Sequence, residues 1–348
     1  MPHGKTFYNF SIDIYETLRI NFTTKLFVAK NMRKIIYILL FISLISACSN
    51  SVTSQENNQK VNSANSQETK KDKKQDDDLQ KQIEQIASAA KGRVGVTAAV
   101  LETGEAVSLN PKEQFPMQSV YKLPIGMAVL HQVDEGKIKL DQSVKVEKSN
   151  FVRQGQYSPI RDKNPNGVEL SVKELLRFAV SESDGTASDV LLDLVGAEAV
   201  KQYLDEIGVK NIIVANSEKE IGRDWETQYR NWASPEGAVE LLRALQERRG
   251  GLSEQNQVLL LKFMTESPTG PRRLKGLLPK RTIVAHKTGT SGNRDGITAA
   301  TNDIGIITLP NGRHLAIAVF VSNSPADEKT REEAIAKIAK AVWDKWSK

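Results

Sequence analysis

The chain has 348 residues, of which 39% are hydrophobic and 26% are charged. This length suits one large domain or two small ones, and the apolar content is enough for a buried core, which excludes a wholly disordered protein. The net charge is +6, but the 48 basic residues are mixed with 42 acidic ones. Because no basic stripe is interleaved with aromatic residues, the sequence argues against nucleic-acid binding.

Residues 32–48 have the pattern of an export signal. Met32 to Lys34 supplies positive charge, Ile35 to Leu44 is an apolar run, and Ile45 to Ala47 precedes the single cysteine, Cys48. The pattern resembles a bacterial lipoprotein signal with its lipobox, which implies cleavage before Cys48 and attachment of lipid to its sulfur. The alternative is an ordinary secretory signal with an incidental thiol. The apolar run is short for a membrane-spanning helix, which needs about 20 residues.

The segments on either side of this signal lack the pattern of a folded domain. Residues 1–31 match no targeting signal that we can identify, so we treat them as a doubtful upstream extension. We expect translation to begin at Met32. Residues 48–78 are mostly Ser, Gln, Asn, Lys and Asp. They cannot bury enough apolar surface to offset the entropy of ordering, so we predict a flexible tether ahead of a domain at 79–348.

The predicted domain opens with a helix followed by two strands. Apolar residues from Leu79 to Ile86 share one helix face. Val94 to Leu101 is typical of a buried strand, and a turn at Glu102 to Glu105 leads into a second strand at Ala106 to Leu109.

The middle of the domain is predicted to be helical, and strands return near its end. Helices are predicted at Leu123 to Val133, Val172 to Ser181, Thr186 to Val195, Ala197 to Ile207, Pro235 to Glu247 and Ser253 to Thr265. Strands are predicted at Thr282 to Lys287, Ala299 to Leu309 and His314 to Ser322, before a final helix at Glu328 to Trp346. This order indicates an α+β fold: a five-stranded antiparallel sheet (79–118 and 276–348) flanked by helices, with an all-helical insertion (119–275).

Ser119 lies where the helical insertion leaves the sheet, and Lys122 follows just before an apolar run. This spacing places a hydroxyl and an amine on one face of a helix's first turn. A serine becomes an effective nucleophile when a base takes its proton, and a lysine desolvated against apolar neighbours can be that base. Taken alone, the pair also fits a helix cap followed by a solvated charge.

Three further stretches, all after Ser119 in the chain, supply polar groups. Ser181 to Gly185 lies at a break between two predicted helices, where Ser183 can project into a cleft. Lys287 to Gly292 ends an apolar strand with a cation, hydroxyls and glycines that let a substrate approach the backbone. Ile212 to Trp232 is long, irregular and rich in acidic and amide residues, which is typical of a functional loop.

Together these motifs resemble the class A serine β-lactamases, whose S-x-x-K, S-D-N and K-T-G elements occur in this order. The resemblance covers about Leu79 to Lys348 and includes Tyr157 to Pro159 at the family's aromatic-gate position. It implies hydrolysis of β-lactam antibiotics without a cofactor or metal, by a monomer. The signal implies a periplasmic location, lipid-anchored to a bacterial membrane, or free in the periplasm if the lipobox is not used.

The resemblance also implies a role for each matched residue. Ser119 is the expected nucleophile, Lys122 accepts or relays its proton, and Ser183 passes a proton to the leaving nitrogen. Backbone N–H groups of Ser119 and Thr290 form the expected oxyanion hole. The expected substrate-binding residues are Tyr157, Lys287, Thr288, Gly289, Thr290 and Ser291.

Two glutamates are candidates for the base that activates the deacylating water. Aligning Ile207-Gly208 with the family's equivalent pair places Glu218 at the base position, whereas Glu226 requires a shift of eight residues. We prefer Glu218. The family usually has Pro after this glutamate, with a cis bond between them. Because Lys219 follows here, we expect a trans bond and a rearranged, wider loop, as in the less typical extended-loop subgroup that the sequence resembles.

Two glycines also depart from the family's pattern. Gly222 stands in place of an asparagine that usually helps to hold the water, so Glu218 needs other help, for which Asn231 is a candidate. Gly185 replaces the Asn of S-D-N and removes an amide that normally contacts substrate and lysine, which puts affinity and turnover in doubt. Thr290 and Ser291, beside a wider loop, favour cephalosporins.

Several alternative functions remain. A penicillin-binding DD-peptidase shares the serine chemistry but lacks the deacylating glutamate, and a β-lactam sensor that stays acylated would carry a spanning helix rather than a lipobox. A Ser-His-Asp hydrolase is disfavoured because the four histidines have no evident partners. A zinc lactamase is disfavoured because no His, Cys or Asp cluster has metal-ligand spacing.

Overall fold

An antiparallel sheet forms the centre of the computed structural model, which describes residues 77–348. The predicted extension 1–31, signal 32–47, Cys48 and nearly all of the tether 48–78 lie outside the described residues. The strands are β1 (Arg93–Val100), β2 (Ala106–Leu109), β3 (Phe115–Pro116), β4 (Ser143–Val146), β5 (Val168–Ser171), β6 (Ile212–Ile213), β7 (Trp232–Ala233), β8 (Val284–Thr290), β9 (Asn293–Arg294), β10 (Ile297–Thr308) and β11 (His314–Ser324). The main sheet has the order β2-β1-β11-β10-β8, with the short β9 paired to β10.

Helices fill the chain between these strands and close it at the end. They are α1 (77–88), α2 (Lys122–Asp134), α3 (Pro159–Lys163), α4 (Val172–Val180), α5 (Gly185–Val195), α6 (Ala197–Glu206), α7 (Glu218–Ile221), α8 (Pro235–Gln246), α9 (Glu254–Thr265) and α10 (Glu328–Trp346). Several of these helices begin at a side-chain cap; for example, Ser171 accepts from the backbone N–H of Glu174 at the start of α4. Within residues 77–348, no helix has both the length and the apolar character required to cross a membrane.

The predicted α+β class is confirmed: a five-stranded antiparallel sheet is combined with a helical region. The predicted elements agree with the observed ones within a few residues. One difference matters for the site, because β8 continues through the K-T-G-T stretch to Thr290 instead of ending at Lys287. The prediction that the insertion 119–275 is all-helical is wrong, because it contains the β4–β5 hairpin and the short strands β6 and β7, of which β7 pairs with β3 and with β6.

The sheet separates two hydrophobic cores. Along β11, Ile317 and Val319 face the core formed with the terminal helices α1 and α10. The intervening Ala318 and Phe320 face the core shared with α2, α4 and α8. Since successive side chains in a strand point to opposite faces, this alternation lets one strand pack against both helical layers.

Contacts to the sheet fix the segment that leads into Ser119. Phe115 in β3 stacks on Phe320, with ring centroids 5.7 Å apart. The side-chain amide of Asn302 in β10 donates to the backbone oxygens of Pro116 at 2.8 Å and Met117 at 3.1 Å. The turn that carries Ser119 is therefore attached to the most central part of the fold.

Truncation of Phe320 tests this attachment. The side chain is fully buried, so Phe320→Ala leaves a cavity beside Phe115 and should lower the free energy of unfolding by about 3–5 kcal/mol. Urea denaturation of the full chain measures the change. Val258→Ala is the matched apolar truncation at a site that is 58% exposed, and it should change stability by less than about 0.5 kcal/mol. Equal effects of the two variants would contradict this packing.

Candidate active site

A cavity of about 670 Å³ lies beside the end of β8 and the start of α2. Its wall brings together eight of the residues that the sequence analysis selected: Ser119, Lys122, Tyr157, Ser183, Glu218, Thr288, Thr290 and Ser291. Two others, Lys287 and Gly289, lie behind the wall, and Glu226 is exposed outside it.

Ser119 lies on a single 3-10 turn, Gln118–Tyr121, immediately before α2. Lys122 is the first residue of α2 and is only 1% exposed. Its Nζ donates to the backbone oxygen of Ser183 at 2.8 Å and lies 3.4 Å from Oε2 of Glu218. Lys122 therefore joins the Ser119 turn to two other walls of the cavity.

Ser183 connects the two buried lysines. Its backbone has a positive φ of 63°, an uncommon conformation for a residue with a side chain. Its hydroxyl accepts a hydrogen bond from Nζ of Lys287 at 2.8 Å. Burial, together with the nearby charge of Lys122, lowers the pKa of Lys287 well below its usual range. An anion bound in the cavity would oppose this shift, because opposite charge favours the protonated lysine.

Gly289 allows β8 to pass close to the Ser119 turn. A Cβ at this position would lie 2.2 Å from the backbone oxygen of Met117. Only glycine permits such a close approach of two backbones. Thr290, the next residue, consequently reaches the cavity wall near Ser119.

Glu218 is fixed by contacts to its backbone and its side chain. Its backbone N–H donates to Oδ1 of Asp189 at 2.6 Å, and that of Lys219 donates to Oδ2 at 3.0 Å. The carboxylate accepts from the hydroxyl of Tyr121 at 2.8 Å. Burial, followed by the nearby carboxylates, raises the pKa of Tyr121 well above its usual value, so this hydroxyl stays protonated and remains a donor.

Comparison with known proteins agrees with this geometry. Residues 78–346 match the β-lactamase enzyme family. The chain is 47% identical to the extended-spectrum β-lactamase PER-1 of Pseudomonas aeruginosa over 268 residues, which cover 76% of this chain and 86% of PER-1. The chain belongs to the class A serine β-lactamases.

Solved structures extend the similarity to the fold. The TLA-1 extended-spectrum β-lactamase has a TM-score of 0.75 and 44% identity, and the match covers 78% of this chain and 99% of that one. A class A β-lactamase from Bacteroides cellulosilyticus has a TM-score of 0.72 and 36% identity, with coverage of 77% and 98%.

In this class A β-lactamase, the structure bears on two expectations about the loop that carries Glu218. The bond between Glu218 and Lys219 is trans, as predicted, since residues 77–348 contain no cis peptide bond. No hydrogen bond among the described residues joins Asn231 to Glu218, so the structure lends no support to direct assistance. The amide of Asn231 is already occupied, because Oδ1 accepts from the backbone N–H groups of Ala215 and Asn216 and Nδ2 donates to the backbone oxygen of Asn216, each at 2.8 Å.

Gly185 has a spatial explanation. A Cβ at this position would lie 2.8 Å from Cγ of Glu218 and 3.2 Å from the backbone oxygen of Tyr157. The side chain of Glu218 therefore uses space that any larger residue at position 185 would fill. The substitution in the S-D-N motif is coupled to the position of the carboxylate.

The sequence analysis missed three residues of the site: Tyr121, Asp189 and Arg273. Asp189 was hidden within the apolar pattern of a predicted helix, and Tyr121 lies between Ser119 and Lys122 without a motif of its own. Arg273 is buried and donates to Oγ1 of Thr290 at 2.8 Å, while Glu332 contacts its Nε at 3.2 Å. A charged residue in a predicted loop gives no signal that it is buried, so only the fold reveals this cation at the cavity wall.

Other catalytic arrangements find no support in the described part of the chain. His286 contacts Asp303 at 2.9 Å, but both are fully buried and neither lines the cavity. This corrects the expectation that the histidines lack partners, and the pair is structural. Within residues 77–348, no group of three or more His, Cys, Asp or Glu side chains could hold a metal ion.

The pH dependence of stability tests the environment of Asp189. Burial raises the pKa of Asp189 from 3.8 to about 6. Its contribution to stability is therefore fully present below about pH 4 and is lost as the pH rises through about 6. Relative to Asp189→Asn, the wild type should lose up to about 3 kcal/mol of unfolding free energy between pH 4 and 7. Urea denaturation across this range measures the difference, and a constant difference would contradict the shift.

Proposed function

We propose that this chain hydrolyses β-lactam antibiotics through an acyl ester on Ser119, which is then cleaved by water activated by Glu218. Hydrolysis of β-lactams is the activity of the family to which the chain belongs. The observation that carries the proposed mechanism is the position of Glu218. Its carboxylate lines the same cavity as Ser119 and lies 3.4 Å from Nζ of Lys122.

Acylation begins when the hydroxyl of Ser119 attacks the lactam carbonyl carbon and Lys122 accepts or relays the proton. The oxygen of the tetrahedral intermediate is stabilised by the backbone N–H groups of Ser119 and Thr290. The C–N bond of the ring then breaks, and the hydroxyl of Ser183 passes a proton to the nitrogen. The contact from Lys287 to that hydroxyl supports this role, since it keeps Ser183 oriented.

The substrate's carboxylate is held at the end of β8. Thr288 offers a hydroxyl donor to the cavity, and Lys287 supplies positive charge from behind the wall. Arg273 adds a second buried cation beside Thr290. A cation together with hydroxyl donors binds a carboxylate well, because hydrogen bonds to a charged group are stronger than hydrogen bonds between neutral groups. Tyr157, which is 62% exposed, stacks along the substrate at the mouth of the cavity.

Deacylation distinguishes a lactamase from a peptidase or a sensor. Glu218 takes a proton from a water molecule, and the water oxygen attacks the ester carbonyl carbon. The C–O bond to Ser119 then breaks, and the proton returns to its oxygen through Lys122. Glu218 is favoured over Glu226 because Glu226 is exposed and does not line the cavity. The carboxylate of Glu218 is supported by Tyr121 and its backbone by Asp189, as a positioned base requires.

The range of substrates includes extended-spectrum cephalosporins. PER-1 and TLA-1 are both named extended-spectrum β-lactamases. The cavity is bordered by Gly155 and Gly292, where a Cβ would meet no atom within 4 Å. This open border, together with Thr290 and Ser291, accommodates a bulky acylamino side chain.

We also propose that the protein acts as a monomer in the periplasm, anchored to the membrane by lipid on Cys48. Class A β-lactamases are typically periplasmic or secreted. The support for the anchor is the lipobox-like Ile45 to Cys48 in the sequence. In the alternative, the signal is cleaved without lipidation and the enzyme is free in the periplasm.

Paired substitutions test the assignment of the base. Glu218→Gln should acylate with a chromogenic cephalosporin but accumulate the acyl-enzyme, with turnover reduced at least about 10²-fold. Mass spectrometry of the intact protein detects the adduct. Glu226→Gln is the matched control and should turn over normally. If the adduct accumulates only in Glu226→Gln, the assignment of the base is wrong, and a stable adduct in the wild type would indicate a sensor or a peptidase.

Substitution of the cysteine tests the anchor. Cells that express the full chain should incorporate labelled palmitate into the protein, and the protein should sediment with membranes. Cys48→Ser removes the sulfur that accepts the lipid, so incorporation of palmitate should be lost while β-lactamase activity persists. Incorporation of palmitate that is unchanged in Cys48→Ser would contradict lipid attachment at this residue.

A further inference from the structure

Gln156 fills the space that Gly222 leaves beside Glu218. A Cβ at position 222 would lie 2.7 Å from Cδ, Nε2 and Oε1 of Gln156, so the whole amide group rests against this glycine. The Nε2 group of Gln156 donates to the backbone oxygen of Glu218 at 2.5 Å. The loop that carries Tyr157 is thereby joined to α7 across the mouth of the cavity.

We propose that Gln156 is a positioning residue for deacylation, which holds the backbone of Glu218 from the side opposite Asp189. The proposal rests on the role of Glu218 as the base. Asp189 accepts from the N–H of Glu218, and Gln156 donates to its carbonyl. The N–H of Glu218 is thus held by α5, and its carbonyl is held by the loop of Gln156 as well as by the N–H of Gly222 at the end of α7.

The unpaired end of the amide supports this role. Oε1 of Gln156 is buried without a hydrogen-bond partner among the described residues. Burying an unpaired polar atom costs free energy, whereas an apolar side chain of similar length would fill the space without this cost. A glutamine at this position is therefore explained by the bond that its other end makes to Glu218.

The loop that carries Gln156 is itself held in place. Nη1 of Arg161 donates to the backbone oxygens of Val152, Arg153 and Gln156 at 3.1, 2.7 and 3.0 Å. The neighbouring Tyr157 accepts from the backbone N–H of Gly185 at 2.9 Å. Because the backbone of Gln156 is anchored, its side chain can hold Glu218 in one position.

Two substitutions disrupt the contact by different routes. Gln156→Met keeps the length of the side chain but removes the donor. Gly222→Ala places a methyl group where the amide lies, and its φ of −71° suits alanine, so the variant should fold and displace Gln156. Each should lower the rate constant of deacylation about tenfold, the typical effect of one hydrogen bond. The rate constant of acylation should change less than about twofold.

The double variant Gln156→Met/Gly222→Ala should deacylate about as slowly as either single variant, because both disrupt one contact. Gln154→Met, in the same loop and exposed, is the matched control and should leave both rate constants unchanged. Quenched-flow mass spectrometry with a cephalosporin yields the two constants separately. Slower deacylation with unchanged acylation is a result that a purely structural role for Gln156 would not produce.

Several outcomes would overturn the proposal. It fails if Gln156→Met deacylates normally, if acylation and deacylation slow equally, or if the effects of the two substitutions multiply. Glu218→Gln, measured in parallel, separates this failure from a failure of the proposed function. If Glu218→Gln accumulates acyl-enzyme while Gln156→Met is normal, only the positioning role is wrong. If Glu218→Gln deacylates normally, the base is misassigned and the reason given for Gln156 is lost with it.

Discussion

The position of the Glu218 carboxylate is the constraint on which the rest of the site depends. It must lie close enough to Lys122 and Ser119 to act on an acyl ester, yet it is carried by a short helix in an irregular loop. Tyr121 holds the side chain and Asp189 holds the backbone N–H. Tyr121 and Asp189 both belong to the packed helical region. Their contacts therefore hold the loop rigidly enough to position a base.

The two glycines that depart from the family's pattern become consistent with this constraint. Gly185 leaves room for the side chain of Glu218, and Gly222 leaves room for Gln156. From the sequence, each looked like the loss of an amide that serves the reaction. In the structure, each creates space that a neighbouring side chain occupies. The departures therefore describe one rearranged packing around Glu218 rather than two independent losses.

Much of the fold could be predicted because helix and strand periodicities are local. The β4–β5 hairpin was missed because its strands are separated by more than twenty residues, so no turn signal joins them. The motifs identified Ser119, Lys122 and Ser183, which the structure brings to one cavity. The partners of Glu218 could not be predicted, since Asp189 and Tyr121 lie far from it in sequence, and neither belongs to a recognisable motif.

The most direct test of this account is the lifetime of the acyl-enzyme in Gly185→Ala. A methyl group at this position would approach Cγ of Glu218 to 2.8 Å and push the carboxylate away. We predict that acylation of Ser119 by a cephalosporin continues, while the rate constant of deacylation falls about 10²-fold, as a displacement of about 1 Å can cause. Time-resolved mass spectrometry measures both constants. Deacylation at the wild-type rate in a folded Gly185→Ala protein would contradict the claim that this glycine makes room for the base.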